Sequence, residues 1–364
     1  MKISIITVCR NSAKTIERAI RSVILQQYSD LEYIVIDGGS EDDTCQIIQK
    51  YENNISYWVS EPDEGIYDAM NKGISVATGD VIAFLNSDDW YEKNTFNCIE
   101  KYFGENDVDM VSGGICLVKD GKASITDSEK PQNVDDYFFN IGFPHPSLFA
   151  KAYLFQRYGV FDVTYKIAAD YDWMLRVCLA GVKVLTVKEC LTNFAYGGVS
   201  TVRKYDALKE QYKSALHYME YYGKEYLRER MKEYYDKELR IAKRDAAYNR
   251  AVQYHMDRIK GLLNGDKSYY IWGAGNRGME CMELFEKAGF RIAGLIDSHK
   301  TKTEIKGYRV ISPEEIDGKN PICITPKGYE EEIIETLKDM RLEETEYFTY
   351  ADMLDQIINL GDNE

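Results

Sequence analysis

The sequence predicts an α/β protein of two domains, spanning 1–203 and 266–364, with an amphipathic helical stretch over 204–265 between them. Three observations lead there. Short apolar runs alternate with helically spaced segments from Ile3 to Asn86, the pattern of a parallel sheet covered on both faces. A strand, a glycine loop and a helix start afresh at Tyr269. A chain of 364 residues also exceeds what one hydrophobic core usually holds.

In chain order, Ile3 to Cys9 is a β-rich apolar run and Arg10-Asn11-Ser12 is the loop after it. Thr15 to Gln27 carries Ile16, Ala19, Ile20, Val23 and Ile24 at helical spacing. Tyr33 to Ile36 is a second buried strand, ending at Asp37-Gly38-Gly39-Ser40. Thr44 to Tyr51 is helical, Ile55 to Val59 a third strand, and Ser60 to Gly65 a turn. Ile66 to Val76 is helical again. Val81 to Asn86 is the fourth strand, and it stops abruptly at Ser87-Asp88-Asp89.

Asn11, Asp37, Glu61, Asp63 and Asp88 each follow the carboxyl end of a strand. In an open parallel sheet those ends share one edge, and ligands bind there. Any one of them has a plainer explanation: Asp37 suits a turn and Asn11 a helix cap. Five together point to a site. Adjacent carboxylates such as Asp88 and Asp89 disfavour each other's ionisation. Mg²⁺ or Mn²⁺ removes that cost, and such ions sit between carboxylates and substrate phosphates.

Beyond Asn94 the pattern loosens. A helix closes at Tyr102-Phe103, Met110-Val111 and Ile115 to Val118 read as strands, and a polar stretch runs to Asn133. Met174, Leu175 and Cys178 extend a helical face, so Asp170 and Asp172 fall at or just before a helix N-terminus, which favours carboxylates. Phe194 to Thr201 is glycine-rich and suits a lid. From Lys204, Leu208, Tyr212, Ala215, Met219, Tyr222 and Tyr226 keep three-and-four spacing, with a break expected at Gly223. Packing on the first domain or on a second copy of the chain is the favoured use. A peripheral membrane contact is the alternative.

Tyr269 to Trp272, the loop Gly273-Ala-Gly275-Asn-Arg-Gly278, a helix to Ala288 and a strand to Ile296 ending in Asp297 match a Rossmann fingerprint. Only one compact βαβ-like half is legible. A structural or regulatory role is therefore expected first, nucleotide or nucleotide-sugar binding second and NAD chemistry third.

Composition narrows the class. Hydrophobic residues at 45% and charged residues at 29% are ordinary for a soluble globular protein. A net charge of −15 argues against general affinity for nucleic acid or an anionic membrane. Eight scattered cysteines without a CxxC pair read as reduced thiols. Met1-Lys2-Ile3 enters a strand without a signal-peptide core, and no apolar run approaches bilayer length. A cytoplasmic location, with the inner membrane face as the alternative, is expected.

Ile3–Ser12, Asp37-Gly-Gly-Ser-Glu-Asp-Asp-Thr44, Glu64-Gly-Ile-Tyr-Asp-Ala-Met-Asn-Lys-Gly73, Ala77-Thr-Gly-Asp80 and Phe84-Leu-Asn-Ser-Asp-Asp89 together resemble the family 2 glycosyltransferases of the GT-A (nucleotide-diphospho-sugar transferase) fold, in particular bacterial members that build capsular or lipopolysaccharide units. The likeness covers roughly the first 200 residues. It implies a nucleotide-sugar donor, usually a UDP-sugar, with Thr7, Val8, Asn11 and Asp37 holding base and ribose. Asn86, Ser87 and Asp88 correspond to the family's DxD element, with Asp88 the metal ligand and Asp89 a second ligand or an anchor. Asn86 stands where the family has its first aspartate. Asp68 and Lys72, on a helix facing the crevice, join Glu61 and Asp63 as donor-side residues, although an i,i+4 ion pair explains Asp68 and Lys72 equally well.

Gly142 to Phe149 resembles the family's acceptor-side segment and brings in His145. By position Asp170 matches the family's general base, with Ala169 replacing the usual Glu and Asp172 the runner-up. Arg176 and Arg203 are donor or acceptor contacts. The expected reaction is an inverting, metal-dependent sugar transfer in surface polysaccharide biosynthesis. Two alternatives stay open: a catalytically inactive nucleotide-sugar sensor, and an NAD-dependent oxidoreductase acting through the C-terminal domain. The small Rossmann-like domain resembles the one in front of bacterial sugar acyltransferases.

Overall fold

The computed structural model describes residues 1–119, 122–298, 303–342 and 345–362. The chain divides into two compact units, Met1–Leu239 and Arg240–Glu364.

The first unit opens with β1 (Ile3–Cys9), α1 (Ile16–Ile24), β2 (Leu31–Asp37), α2 (Thr44–Lys50), β3 (Tyr57–Ser60), α3 (Ile66–Val76) and β4 (Val81–Asn86). These four strands lie parallel in the order β3-β2-β1-β4, so Cys9, Asp37 and Asn86 end on one edge. The face packed on α1 buries Ile3, Ile5, Val35, Ala83 and Leu85 against Ile16, Ile20 and Val23. On the other face α3 approaches β1 through Gly73, where a Cβ would fall 2.4 Å from Ile6 Cγ2.

The sheet then changes character. β5 (Trp90–Tyr91), α4 (Thr95–Glu105), β6 (Met110–Lys119), β7 (Lys122–Thr126), β8 (Leu148–Lys151), α5 (Tyr153–Tyr158), α6 (Ala169–Leu179) and β9 (Val184–Ala195) follow. β8 runs antiparallel to β4 and to β6, β9 parallel to β6, and β5 antiparallel to β9. The four strands expected to be parallel are so, and the later strands extend them into a mixed sheet. The two strands read at Met110-Val111 and Ile115–Val118 are one strand, whose register with β9 shifts at Ser112, Gly114 and Ile115. Gly113 sits against Leu191, and that local bulge hides the continuity from a pattern of apolar residues.

The helical stretch contains α7 (Val199–Val202), α8 (Lys204–Tyr221), α9 (Arg228–Tyr254) and α10 (Met256–Lys260). Gly223 takes φ +63° between α8 and α9, the conformation that ends a helix cheaply only at glycine.

The second unit holds β10 (Ser268–Trp272), α11 (Asn276–Ala288), β11 (Arg291–Ile296), β12 (Glu304–Ile305), β13 (Tyr308–Ile311), β14 (Ile322–Ile324), α12 (Glu330–Asp339), β15 (Tyr347–Thr349) and α13 (Tyr350–Asp362). Its strands are ordered β12-β13-β11-β10-β14-β15, parallel except for β12. The expected single βαβ half is thus a fuller sheet with strands on both sides of β10. β13 and β15 span only 4 and 3 residues, too short to register as apolar runs. Within the loop from β10 to α11, a Cβ on Gly278 would meet Gly273 O at 1.8 Å, so the helix start lies directly on the loop.

Candidate active site

A cleft of about 720 Å³ runs along the carboxyl ends of β1 and β4 and reaches the first turn of α6. Val8, Asn11, Asp63, Asn86, Ser87, Asp88, His145 and Asp170 all line it. The two acidic centres that the sequence separates by some eighty positions thus share one cavity.

The donor-side wall is held by side chains that fill one another. Asn11, at φ +50°, accepts the Glu41 amide at 2.9 Å through Oδ1, and its own amide donates to Ser40 Oγ at 2.7 Å. Ser12 and Ser87 hydroxyls meet at 2.8 Å. Asp37 is fully buried and accepts from the Ser40 amide at 2.8 Å and Ser60 Oγ at 2.7 Å. Burial pulls its carboxyl upward, but hydrogen bonds from Ser40, Ser60 and Cys45 outweigh that and hold it below the ordinary value. Both oxygens are engaged inside the protein, so Asp37 anchors the loop rather than facing the cleft. Thr7, also fully buried, accepts the Tyr33 hydroxyl at 3.1 Å and lies behind the wall.

Glu61, Asp68 and Lys72 form a separate cluster. Lys72 Nζ lies 3.0 Å from Glu61 and 3.5 Å from Asp68, and donates to Pro62 O at 3.0 Å, tying the turn before α3 to that helix. The i,i+4 pair is a structural one, and none of the three lines the cleft. Asp63 does line it, braced by the Gly65 amide at 3.0 Å.

The Asp88–Asp89 pair splits. Asp88 faces the cleft, and among the described residues no other residue donates a hydrogen bond to its carboxylate. Burial raises its pKa, while the charge of Arg18 partly offsets that. Asp89 is 1% exposed and accepts the Ala195 amide at 2.9 Å. Burial, then the charge of Asp88, pushes its carboxyl up to about 7. Asp89 therefore anchors the end of β9 and is not a cleft ligand. Asn86 Nδ2 reaches Asp89 at 3.4 Å, and Asn86 Oδ1 is buried without a partner. One free carboxylate and one unbonded amide oxygen fit a hard divalent cation that keeps further positions for phosphate oxygens. Among the described residues no cluster of three or more His, Cys, Asp or Glu offers an alternative.

Asp170 begins α6. Its Oδ1 accepts the Tyr67 hydroxyl at 2.9 Å and the Tyr171 amide at 2.9 Å, and His145 Nδ1 lies 3.8 Å from Oδ2. His145 stacks on Phe84 with centroids 5.4 Å apart. Burial lowers its pKa against the opposing pull of Asp170. From α8, Glu210 accepts the backbone amides of Lys166, Ile167 and Ala168 at 2.9, 2.8 and 2.9 Å. That one carboxylate fixes the approach to α6 and so the position of Asp170.

Asp172 points elsewhere, because two helical residues turn about 200°. It is 3% exposed, accepts Ser214 Oγ at 2.7 Å and pairs with Arg176 at 3.2 Å. Arg176 also donates to Tyr158 O at 2.6 Å and Val160 O at 3.1 Å. Both are packing residues outside the cleft. Arg203 is solvent-facing and paired with Asp206 at 2.8 Å, also outside. Gly273, Gly275, Gly278 and Asp297 belong to the second unit and line a loop between β10 and α11 and the end of β11.

Several cleft residues escaped the sequence reading. Arg10, Lys14 and Lys166 supply cations to its wall. Arg10 and Lys14 flank Asn11, and that adjacency was a usable signal. Glu210 had none, because it acts across forty residues on backbone amides alone.

The family model described as glycosyl transferase family 2 matches residues 4–168, and a second, described as C2185-like, N-terminal, matches 266–348. An uncharacterised glycosyltransferase of Mycobacterium tuberculosis is 32% identical over 212 residues, covering 57% of this chain and 79% of the relative. A PGL/p-HBAD biosynthesis glycosyltransferase of Mycobacterium bovis is 29% identical over 188 residues, covering 50% and 72%. The crystal structure of Staphylococcus aureus TarS 1–349 in complex with UDP-GlcNAc aligns with 20% identity and a TM-score of 0.48, covering 59% of this chain and 66% of that one.

Proposed function

The chain belongs to glycosyltransferase family 2, and from that premise we propose that it transfers a sugar, with inversion, from a nucleotide-diphosphate sugar to a hydroxyl of a glycan or lipid-linked acceptor. The observation that carries this reading is the joining of Asp88, three cations and Asp170 in one cleft. Arg10, Lys14 and Lys166 complement a diphosphate, and Asp170 is the one carboxylate of the α6 turn left open to an acceptor.

In the proposed step the acceptor oxygen attacks the anomeric carbon as its proton passes to Asp170. The bond to the diphosphate breaks in the same displacement, and the nucleoside diphosphate departs with the electron pair. Attack opposite the leaving group inverts the anomeric centre. Tyr67 holds the carboxylate of Asp170, and Glu210 holds the backbone just ahead of it. Asp88 and Asn86, both of which line the cleft, would hold a Mg²⁺ or Mn²⁺ ion, which when bound supplies charge neutralisation at the diphosphate. A UDP-sugar is the donor the family resemblance favours, and Val8 and Asn11, which the family places at base and ribose, line the cleft.

The test is sugar transfer and donor hydrolysis by Asp170→Asn and Asp88→Ala. Each is expected to lower transfer by about 10²-fold or more. Full activity in either removes its assigned role. Donor binding without any turnover in the unaltered protein would favour the inactive-sensor reading instead. A thermal-shift screen of UDP-, GDP- and dTDP-sugars with and without Mn²⁺ identifies the nucleotide, because a bound donor raises stability by mass action.

A further inference from the structure

We propose that the recess beyond Asp170 receives an uncharged sugar unit as acceptor, held by aromatic stacking and amide hydrogen bonds, and excludes phosphorylated or carboxylated acceptors. The assignment rests on the reading of Asp170 as the base. A second cavity of about 390 Å³ adjoins the first and shares Asn86, His145, Asp170, Phe194 and Ser200 with it. Its remaining wall comes from the 139–146 loop, Ile115 of β6, Tyr171 and Met174 of α6, Gln211 of α8 and Tyr234 of α9. The shared residues put Asp170 at the junction, where an acceptor hydroxyl has to be.

Charge separates the two cavities. Arg10, Lys14 and Lys166 line the first, whereas among the described residues no Lys or Arg lines the second. Among the described residues the ionisable groups facing the recess are Asp170, His145, whose pKa burial lowers, and the phenols of Tyr171 and Tyr234. Arg230 is a cation on the adjoining surface. It lies over the Phe139 ring at 4.3 Å, pairs with Asp136 at 3.2 Å and does not line the recess. An anionic acceptor would thus meet Asp170 with no counter-charge, a like-charge contact that selects against it.

What the walls offer instead suits a neutral sugar. Phe139 and Tyr234 stand edge to face with centroids 5.5 Å apart, giving an aromatic platform for the C–H face of a pyranose. Asn140 uses its Oδ1 to accept the Gly142 amide at 2.9 Å, which leaves its NH₂ to donate. Gln211 makes no hydrogen bond among the described residues, so its amide offers both a donor and an acceptor. Unpaired amides next to an aromatic pair discriminate for a ligand with hydroxyls and against a bare hydrocarbon chain.

The full-length protein tests this in two ways. Saturation-transfer NMR without donor is expected to show methyl hexosides bound, the matching sugar 1-phosphates and uronates bound at least about tenfold more weakly, and the signal lost in Tyr234→Ala. In transfer assays, Tyr234→Ala and Gln211→Ala should raise the acceptor KM by about tenfold or more while donor affinity holds, and Gln211→Lys should recruit anionic acceptors. Equal or better use of anionic acceptors, binding of a plain alkyl chain in place of the sugar, or an unchanged acceptor KM in both alanine variants overturns the proposal. Failure of the donor reading looks different: no nucleotide-sugar would bind, whatever the NMR reports for the hexosides.

Discussion

Glu210→Ala is the most informative single perturbation, because Glu210 touches no cleft surface and yet fixes the chain just ahead of Asp170. The substitution removes three hydrogen bonds from backbone amides to a carboxylate. Bonds to charged groups contribute about 1.5–3 kcal/mol each when buried, and Glu210 is only half-buried. A discounted sum of about 3 kcal/mol, to which the negative charge near the N-terminus of α6 adds about 0.5 kcal/mol, is the expected loss. For a unit of this size that lowers Tm by about 10 °C. Released amides also let the 166–168 segment shift, and a displacement of about 1 Å at a reacting group can cost about 10²-fold in rate. Differential scanning fluorimetry and initial-rate kinetics below the variant's Tm provide the assay. We expect kcat to fall about 10- to 100-fold. Glu210→Gln, which keeps one carbonyl acceptor, should fall between. A variant with lowered Tm but undiminished kcat would refute the positioning role, and one with neither change would refute the hydrogen-bond reasoning itself.

Other outcomes follow from single contacts. Tyr67→Phe removes the hydroxyl 2.9 Å from Asp170 Oδ1 and keeps the ring packed on Phe161. The carboxylate is then less firmly oriented, so kcat should fall about tenfold with Tm little changed, and an unchanged kcat counts against the contact. Gly278→Ala places a methyl 1.8 Å from Gly273 O and should cost about 3 kcal/mol or more in chemical denaturation, whereas Gly275→Ala, with nothing within 4 Å, should be tolerated. Glu32 accepts from Lys2 at 2.7 Å, Ser4 at 2.6 Å and the Thr78 amide at 2.7 Å. Burial raises its carboxyl, but these bonds prevail and depress it to about 2 from an ordinary 4.5. A depressed carboxylate stabilises the fold above its unfolded value, so this contribution is whole above pH 4.5 and disappears as pH falls toward 2. Glu32→Gln should flatten that slope in urea titrations at acid pH, and an unchanged slope would show that the contribution lies elsewhere.

Much of this protein is written locally. The first four strands and three helices are legible because each buried strand is a continuous apolar run and each helix repeats its apolar residues at three and four. The motif around Asp88 and the aspartate opening α6 are visible for the same reason: each breaks an otherwise regular element. What local pattern cannot carry is which way a polar side chain turns and what reaches it from elsewhere in the chain. Asp88 and Asp89 are neighbours, yet one faces the cleft and the other holds Ala195. Asp170 and Asp172 share a helix turn, yet Ser214 and Arg176 claim the second. Asp37 and Thr7 end or line strands at the right edge and still lie behind the wall, their polar atoms bonded within the fold. The sequence by itself determined the sheet edge and the kinds of groups gathered there, because periodicity and strand ends are properties of consecutive residues. Only the tertiary structure decided which carboxylates remain open to a ligand, because a buried polar group takes whatever partner the packing brings to it.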